Sequence, residues 1–214
     1  TLAYIYSEFA LIYKNIQEYD LSLLYIDTAM SYCNNINYKR GIATLLTYKA
    51  DINKERKNYV EALLLYELAE NSYREIDFEI GIVQSGISVA NIYFEEKSYE
   101  KAYNLINSVL EYAELNSLLD EQTQISELKY KIYKARAFYK KAANEADKFM
   151  LLKDSLFNIQ KEERIREIES KFQLERKDHE IELLTVKDEL NGEIISQQKV
   201  RFRYLILFYH IPDL

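Results

Sequence analysis

The chain has 214 residues, 48% of them hydrophobic, and a formal net charge of −7. Four glycines and one proline are too few for a sheet-rich fold with its many turns, which leaves long helices as the alternative. The acid excess argues against a broad nucleic-acid surface, which needs clustered Lys and Arg, and a single cysteine excludes an internal disulfide framework.

Twenty tyrosines without a tryptophan suggest that tyrosine fills large core positions while its hydroxyl reaches the surface. Cys33 lies among apolar residues on a predicted helix and reads as a small buried hydrophobe. The chain starts at Thr1 with neither Met nor a signal-peptide pattern, which reads as a fragment of a longer protein.

In chain order, the first predicted helix is already under way at the N-terminus. From there a forty-residue period runs through Tyr19, Tyr59, Tyr99 and Tyr139, through Ser22, Ala62, Ala102 and Ala142, and through Ala10, Ala50 and Ala90. Periods of this length signal stacked supersecondary units, a solenoid. Asn37, Asp77 and Ser117 share the step and are predicted N-caps of helices over residues 38–55, 78–96 and 118–134. After each of these helices a short polar turn leads to a second helix near Tyr59, Tyr99 or Tyr139. Leu45, Leu46, Ala50 and Asn53 make one apolar stripe, and Ala62, Leu65, Tyr66 and Ala69 the next, with the small residues allowing close approach.

The runs Phe9-Ala10, Tyr13, Tyr19, Ser22, Ala29; Ala50, Tyr59, Ala62, Tyr66, Ala69; Ala90, Tyr93, Tyr99, Ala102; and Tyr133, Tyr139, Ala142, Ala146, Phe149 resemble the tetratricopeptide (TPR) pattern. The resemblance covers roughly residues 1–153 and implies an all-α fold, a right-handed α-solenoid of four hairpins over 1–36, 37–76, 77–116 and 117–153. Gln17, Lys57, Lys97 and Ala137 stand where the family has its turn glycine, the closing proline is missing, and the period exceeds the usual thirty-four by six. The longer period is similar to that of TPR arrays in bacterial sensor and regulator proteins.

Residues 154–203 form a long charged segment with Glu162/Arg166 and Glu167/Lys171 at the helix-stabilising spacing. Ile165, Ile168 and Phe172 start a heptad seam that fails at Glu175, His179 and Glu182; Leu183, Val186, Leu190 and Ile194 resume it in a different phase. This segment is expected to be one helix, either paired in a parallel homodimer or standing as a monomeric or back-folded helix. The tail, residues 204–214, is apolar behind Arg201 and Arg203 but far short of the about 20 residues a membrane span needs.

The order of TPR array, Lys153-to-Phe157 linker, charged helix and basic-flanked apolar run resembles the sensory half of Bacteroidetes membrane-bound histidine kinases and regulators. That resemblance implies a membrane tether with the array in the periplasm. A soluble scaffold, or a fragment of an intracellular peptide-sensing transcriptional regulator, stays open beside it.

Signs of chemistry are missing. No phosphate-binding glycine motif occurs, and His179 and His210 have no nearby partners for a metal. The expectation is therefore a non-enzymatic protein without cofactor, metal or direct nucleic-acid contact. The TPR resemblance implies a peptide- or protein-binding groove along the first helix of each hairpin. Its wall would carry Ser7, Leu11, Lys14, Thr47, Asp51, Lys54, Ile87, Asn91, Phe94, Glu127, Lys131 and Lys134. The family's clamp for C-terminal carboxylates needs paired Lys and Asn; Ser7, Leu11 and Asp51 do not reproduce it.

Overall fold

The structure, a computed structural model, describes the backbone of residues 2–209 and the side chains of residues 2–204. Every element among them is a helix: α1 (Leu2–Asn15), α2 (Tyr19–Asn35), α3 (Lys39–Glu55), α4 (Tyr59–Arg74), α5 (Glu79–Glu95), α6 (Tyr99–Leu115), α7 (Leu119–Ala135) and α8 (Tyr139–Tyr209). The fold is the expected TPR-like succession of helical hairpins followed by a long C-terminal helix. Two compact units result, Thr1–Leu156 and Phe157–Leu214.

All seven turns repeat one geometry at twenty-residue intervals. Gln17, Asn37, Lys57, Asp77, Lys97, Ser117 and Ala137 have φ between 49° and 64°, the left-handed region. In the first turn the Glu18 amide donates to the Tyr13 carbonyl at 2.9 Å and the Gln17 amide to Lys14 at 3.0 Å. The same pair of bonds recurs in every turn, which is the Schellman ending of a helix. The residue after each left-handed position then accepts the first bond of the next helix, as Glu18 does from Ser22 at 2.9 Å. One residue thus closes one helix and opens the next, so each connection takes only three residues, or four between α4 and α5.

This geometry corrects the predicted N-caps. Asn37, Asp77 and Ser117 are the left-handed residues that end α2, α4 and α6; the caps of α3, α5 and α7 are Tyr38, Phe78 and Leu118, none bonding through its side chain. Their apolar side chains suit the hydrophobic contact that goes with a Schellman ending: the Phe78 ring lies 5.4 Å from that of Tyr73, the residue whose carbonyl it bonds.

The alanine register packs as read. Ala10, Ala50, Ala62, Ala90 and Ala102 are completely buried, and Ser22, in the alanine column, donates to the Ala10 carbonyl at 2.7 Å. Around them the large fully buried side chains are chiefly Ile26, Leu45, Ile52, Ile92, Ile106, Ile125 and Ile132. Tyrosine fills fewer core positions than expected. Tyr66, Tyr73 and Tyr133 are buried, and most of the rest sit half-buried at the rim. Cys33 is buried, and burial pushes its thiol up from the ordinary value. Gly81 is required by close approach, since a Cβ there would fall 2.6 Å from the Tyr73 ring and 2.7 Å from that of Phe78. Leu45 and Ile52 of α3 pack with Ile26 and Cys33 of α2; on the corresponding face of α1, Leu2, Ile5 and Ile12 are exposed.

Residues 153–157 are not a linker. α8 runs through them without a break, so the second helix of the fourth hairpin and the charged helix are one element. From Phe157 to Tyr204 every described side chain is exposed. The predicted pairs form, Arg166 to Glu162 at 3.7 Å and Lys171 to Glu167 at 2.8 Å. The apolar tail, with His210, lies largely outside the described residues. Among those described, no helix is long and apolar enough to cross a membrane.

Candidate peptide-binding surface

Within the first unit, first helices touch across the repeats, α1 with α3, α3 with α5 and α5 with α7. The second helices α2, α4 and α6 make no such contact with one another. The first helices therefore crowd together on the narrow side of the array, and their free faces form its inner wall.

A polar bridge crosses that wall. Lys14 Nζ of α1 lies 2.6 Å from Asp51 Oδ2 of α3, and the Tyr66 hydroxyl of α4 donates to Asp51 Oδ1 at 2.5 Å. Lys14 also stands over the Tyr48 ring, 4.7 Å from its centre. Burial, and then the Asp51 carboxylate, hold the Tyr66 hydroxyl far above the usual tyrosine range, so it stays a donor. Beside the bridge, a cleft of about 430 Å³ opens between α1 and α3, lined among others by Tyr4, Ser7, Glu8, Thr44 and Tyr48. Tyr48 is raised mainly by its own burial and next by Glu8. Further along, Gln84 of α5 donates to the buried Glu121 of α7 at 3.1 Å.

The residues placed on the wall by family pattern divide by what they touch. Lys14 and Asp51 meet in the bridge, and Thr47 Oγ1 lies 3.3 Å from the Tyr73 hydroxyl. Ser7 and Asn91 donate back to their own helices, at Ala3 and Ile87, while Leu11 is half-buried. Lys54 lies 3.7 Å from Glu55 and Glu127 2.6 Å from Lys131; Lys134 is exposed over the Tyr130 ring.

Two assignments need correction. Ile87 is buried in the core with Val83, Ala90 and Ile106, because α5 is enclosed by neighbours and only a narrow strip of it stays free. Phe94 is turned toward α6, its ring 5.6 Å from that of Tyr99. The residues missed were Tyr4, Glu8, Thr44 and Tyr48, which line the cleft. The forty-residue columns Tyr4/Thr44/Gln84/Gln124 and Glu8/Tyr48/Ser88/Leu128 carried the available signal.

Ser126 Oγ and Lys129 Nζ of α7 reach Glu145 on the first turns of α8 at 2.7 and 3.9 Å. Among the described residues no group of three or more His, Cys, Asp or Glu is placed to hold a metal ion.

No family model matches the chain, and no curated protein matches it in sequence. Several solved structures share the fold, two of which follow. BtubC (BKLC) from P. vanneervenii aligns with a TM-score of 0.61 and 17% identity, over 72% of this chain and 64% of that one. Aspartyl phosphate phosphatase F from Bacillus subtilis aligns with a TM-score of 0.68 and 16% identity, over 72% of this chain and 40% of that one. The chain thus spans less than two thirds of the length of either, and at such identities the likeness is one of fold.

Proposed function

We propose that the repeat array is a non-enzymatic module that binds a polypeptide segment along its inner wall. The observation that carries this reading is the cleft between α1 and α3, where aromatic rings, hydroxyls and one carboxylate converge beside the Lys14–Asp51–Tyr66 bridge. Tyrosine faces supply contact area at low entropy cost, and Glu8 and Thr44 supply the polar groups that fix register. A basic side chain of the bound segment would sit against Glu8, between Tyr4 and Tyr48. No phosphatase activity is carried over from the Bacillus subtilis structure, since the likeness is of fold alone.

In its cellular setting we place the module as the sensory or scaffolding part of a bacterial signal-transduction protein. The order of repeat array, long charged helix and basic-flanked apolar run supports a membrane-tethered arrangement with the array in the periplasm.

The test is to pan a random dodecapeptide phage library on the immobilised chain and to measure the enriched peptides by titration calorimetry. Binding should weaken at least about tenfold in Tyr48→Ala and in Glu8→Lys. It should be untouched in Lys171→Glu, on α8. Peptides that bind all three variants alike, or no enrichment, would remove the inner wall from consideration.

A further inference from the structure

The outward face of α1 is apolar from its start into the turn that follows. Leu2, Ile5, Phe9, Ile12 and Ile16 stand on it at alternating steps of three and four residues, the spacing of a helix seam, and all five are exposed. Elsewhere in the array the same forty-residue columns are closed. Ile12 is 51% exposed, whereas Ile52, Ile92 and Ile132 are 0% exposed; Ile5 is 47% exposed, whereas Leu45 and Ile125 are 0% exposed. α3 buries Leu45 and Ile52 against Ile26 and Cys33 of α2, the second helix of the hairpin before it.

The two ends of the array are unlike. In the columns that second helices turn toward the next hairpin, Ala146 follows Ile26, Tyr66 and Ile106, and the exposed Lys153 follows Cys33, Tyr73 and Ala113. A repeat array is polar where its last face meets water and apolar where one repeat meets another. The start of α8 carries the first kind of face and α1 the second.

We infer that α1 is an inner helix of the array, and that its outward face seats one further helix from the polypeptide ahead of Thr1, lying along α1 as α2 lies along α3. The seat also specifies the chemistry of that helix. Arg56, just past α3, reaches back to Asp20 of α2 at 2.6 Å, Arg136 reaches Glu100 of α6 at 2.7 Å, and Lys49 reaches Asp27 of α2 at 3.5 Å. On α1 the column of Arg56 and Arg136 holds Ile16, and that of Lys49 holds Phe9. Acids in the places of Asp20 and Asp27 would be pressed against Ile16 and Phe9 with no base to meet. The seated helix is therefore amphipathic with a wider apolar face than α2, apolar in the columns of Asp20 and Asp27 as well as in those of Ile26 and Cys33. None of the five seat residues lines the cleft between α1 and α3, so seating and peptide binding can fail separately.

The gene gives the first test. The reading frame ahead of Thr1 should place apolar residues one forty-residue period before Ile26 and Cys33, and uncharged residues one period before Asp20 and Asp27. A start codon inside that period, or acids at both of the last two places, overturns the assignment. The second test extends the chain with residues 19–41 copied ahead of Leu2, the copy of Gly41 replacing Thr1, and with Asp20→Leu and Asp27→Leu in the copy. Hydrogen exchange read by mass spectrometry should slow at least about tenfold across α1, and Ile5→Glu with Ile12→Glu should return it to the rate of the parent chain. The added segment is too short to hold a helix alone, so an α1 that exchanges as fast as before overturns the seat, whatever helicity circular dichroism records. Sedimentation equilibrium of the parent chain identifies a second copy on the same face: a doubled mass that Ile12→Glu halves also overturns the assignment.

Discussion

In the repeat array an isoleucine such as Ile52, Ile92 or Ile132 is wholly enclosed by neighbouring helices. In the second unit Ile165, Ile168 and Ile194 stand on an equally regular helix with half their surface in water. The two regions are helical for different reasons. Array helices of 14 to 17 residues are near the length at which an isolated helix is marginal, and burial of one apolar stripe holds them. The free length of α8 relies on strong helix formers and on pairs such as Lys171–Glu167, each worth about 0.2–0.5 kcal/mol. Side-chain size should therefore be critical in the first region and nearly indifferent in the second.

The largest expected effect is overpacking. Ala62→Leu and Ala102→Leu should each cost about 1–3 kcal/mol, because both sites are closed and the helices meet there. Thermal unfolding followed by calorimetry would show it, and an unchanged midpoint in both variants would refute the alanine register. A smaller effect of opposite sign is expected in the turns. Ala137→Gly should stabilise the array by about 0.5–1 kcal/mol, since alanine is strained at φ 59°. Asn37→Gly should gain less, because asparagine tolerates φ 52°. Urea unfolding of both distinguishes strain in the turn from a general benefit of glycine.

Tyr66 gives a pH dependence with a definite sign. Its folded-state value is raised above the ordinary 10.0, so the unfolded chain loses this proton first. The stability contributed is complete below pH 10 and falls as pH rises from there toward the folded value. Tyr66→Phe should flatten the alkaline decline by the share of one group, measured as the slope of unfolding free energy from pH 9.5 to 11. The smallest effect belongs to α8: Leu174→Ala should move the array's unfolding midpoint by no more than the ±0.5 kcal/mol of a surface change.

The helix starts at Tyr59, Tyr99 and Tyr139 and the buried alanines could be read from the sequence because a forty-residue spacing repeats with little variation in residue type. The turns were harder. Asn, Asp and Ser are good N-caps and, for Asn and Asp, also common left-handed residues, so type alone cannot separate the two roles at positions 37, 77 and 117. Placing them beside Gln17, Lys57, Lys97 and Ala137 does separate them, because alanine and lysine have no capping oxygen and all seven share one twenty-residue step. The inner wall was read least well. Lys14 and Asp51 meet in an ion pair on the inner wall, but Ile87 was not recognised as core, since how far α5 is enclosed depends on four neighbours and not on its own periodicity. On α8 a heptad template of 3.5 residues per turn sets the two apolar blocks about 50° apart over eighteen residues, whereas the continuous helix makes five whole turns of them and puts both blocks on one face.

The doubled role of residues such as Glu18 and Phe78, each closing one helix while opening the next, leaves the array without slack. Its joints are interchangeable. Excising residues 57–96 would bring Arg56 to Lys97 across an identical bend and hand α3 to α6 with Ala102 in the place of Ala62. Such a chain can grow or shrink by whole hairpins while each remaining joint keeps its angle, so the reach of the inner wall is a quantity that can change without redesigning any single helix.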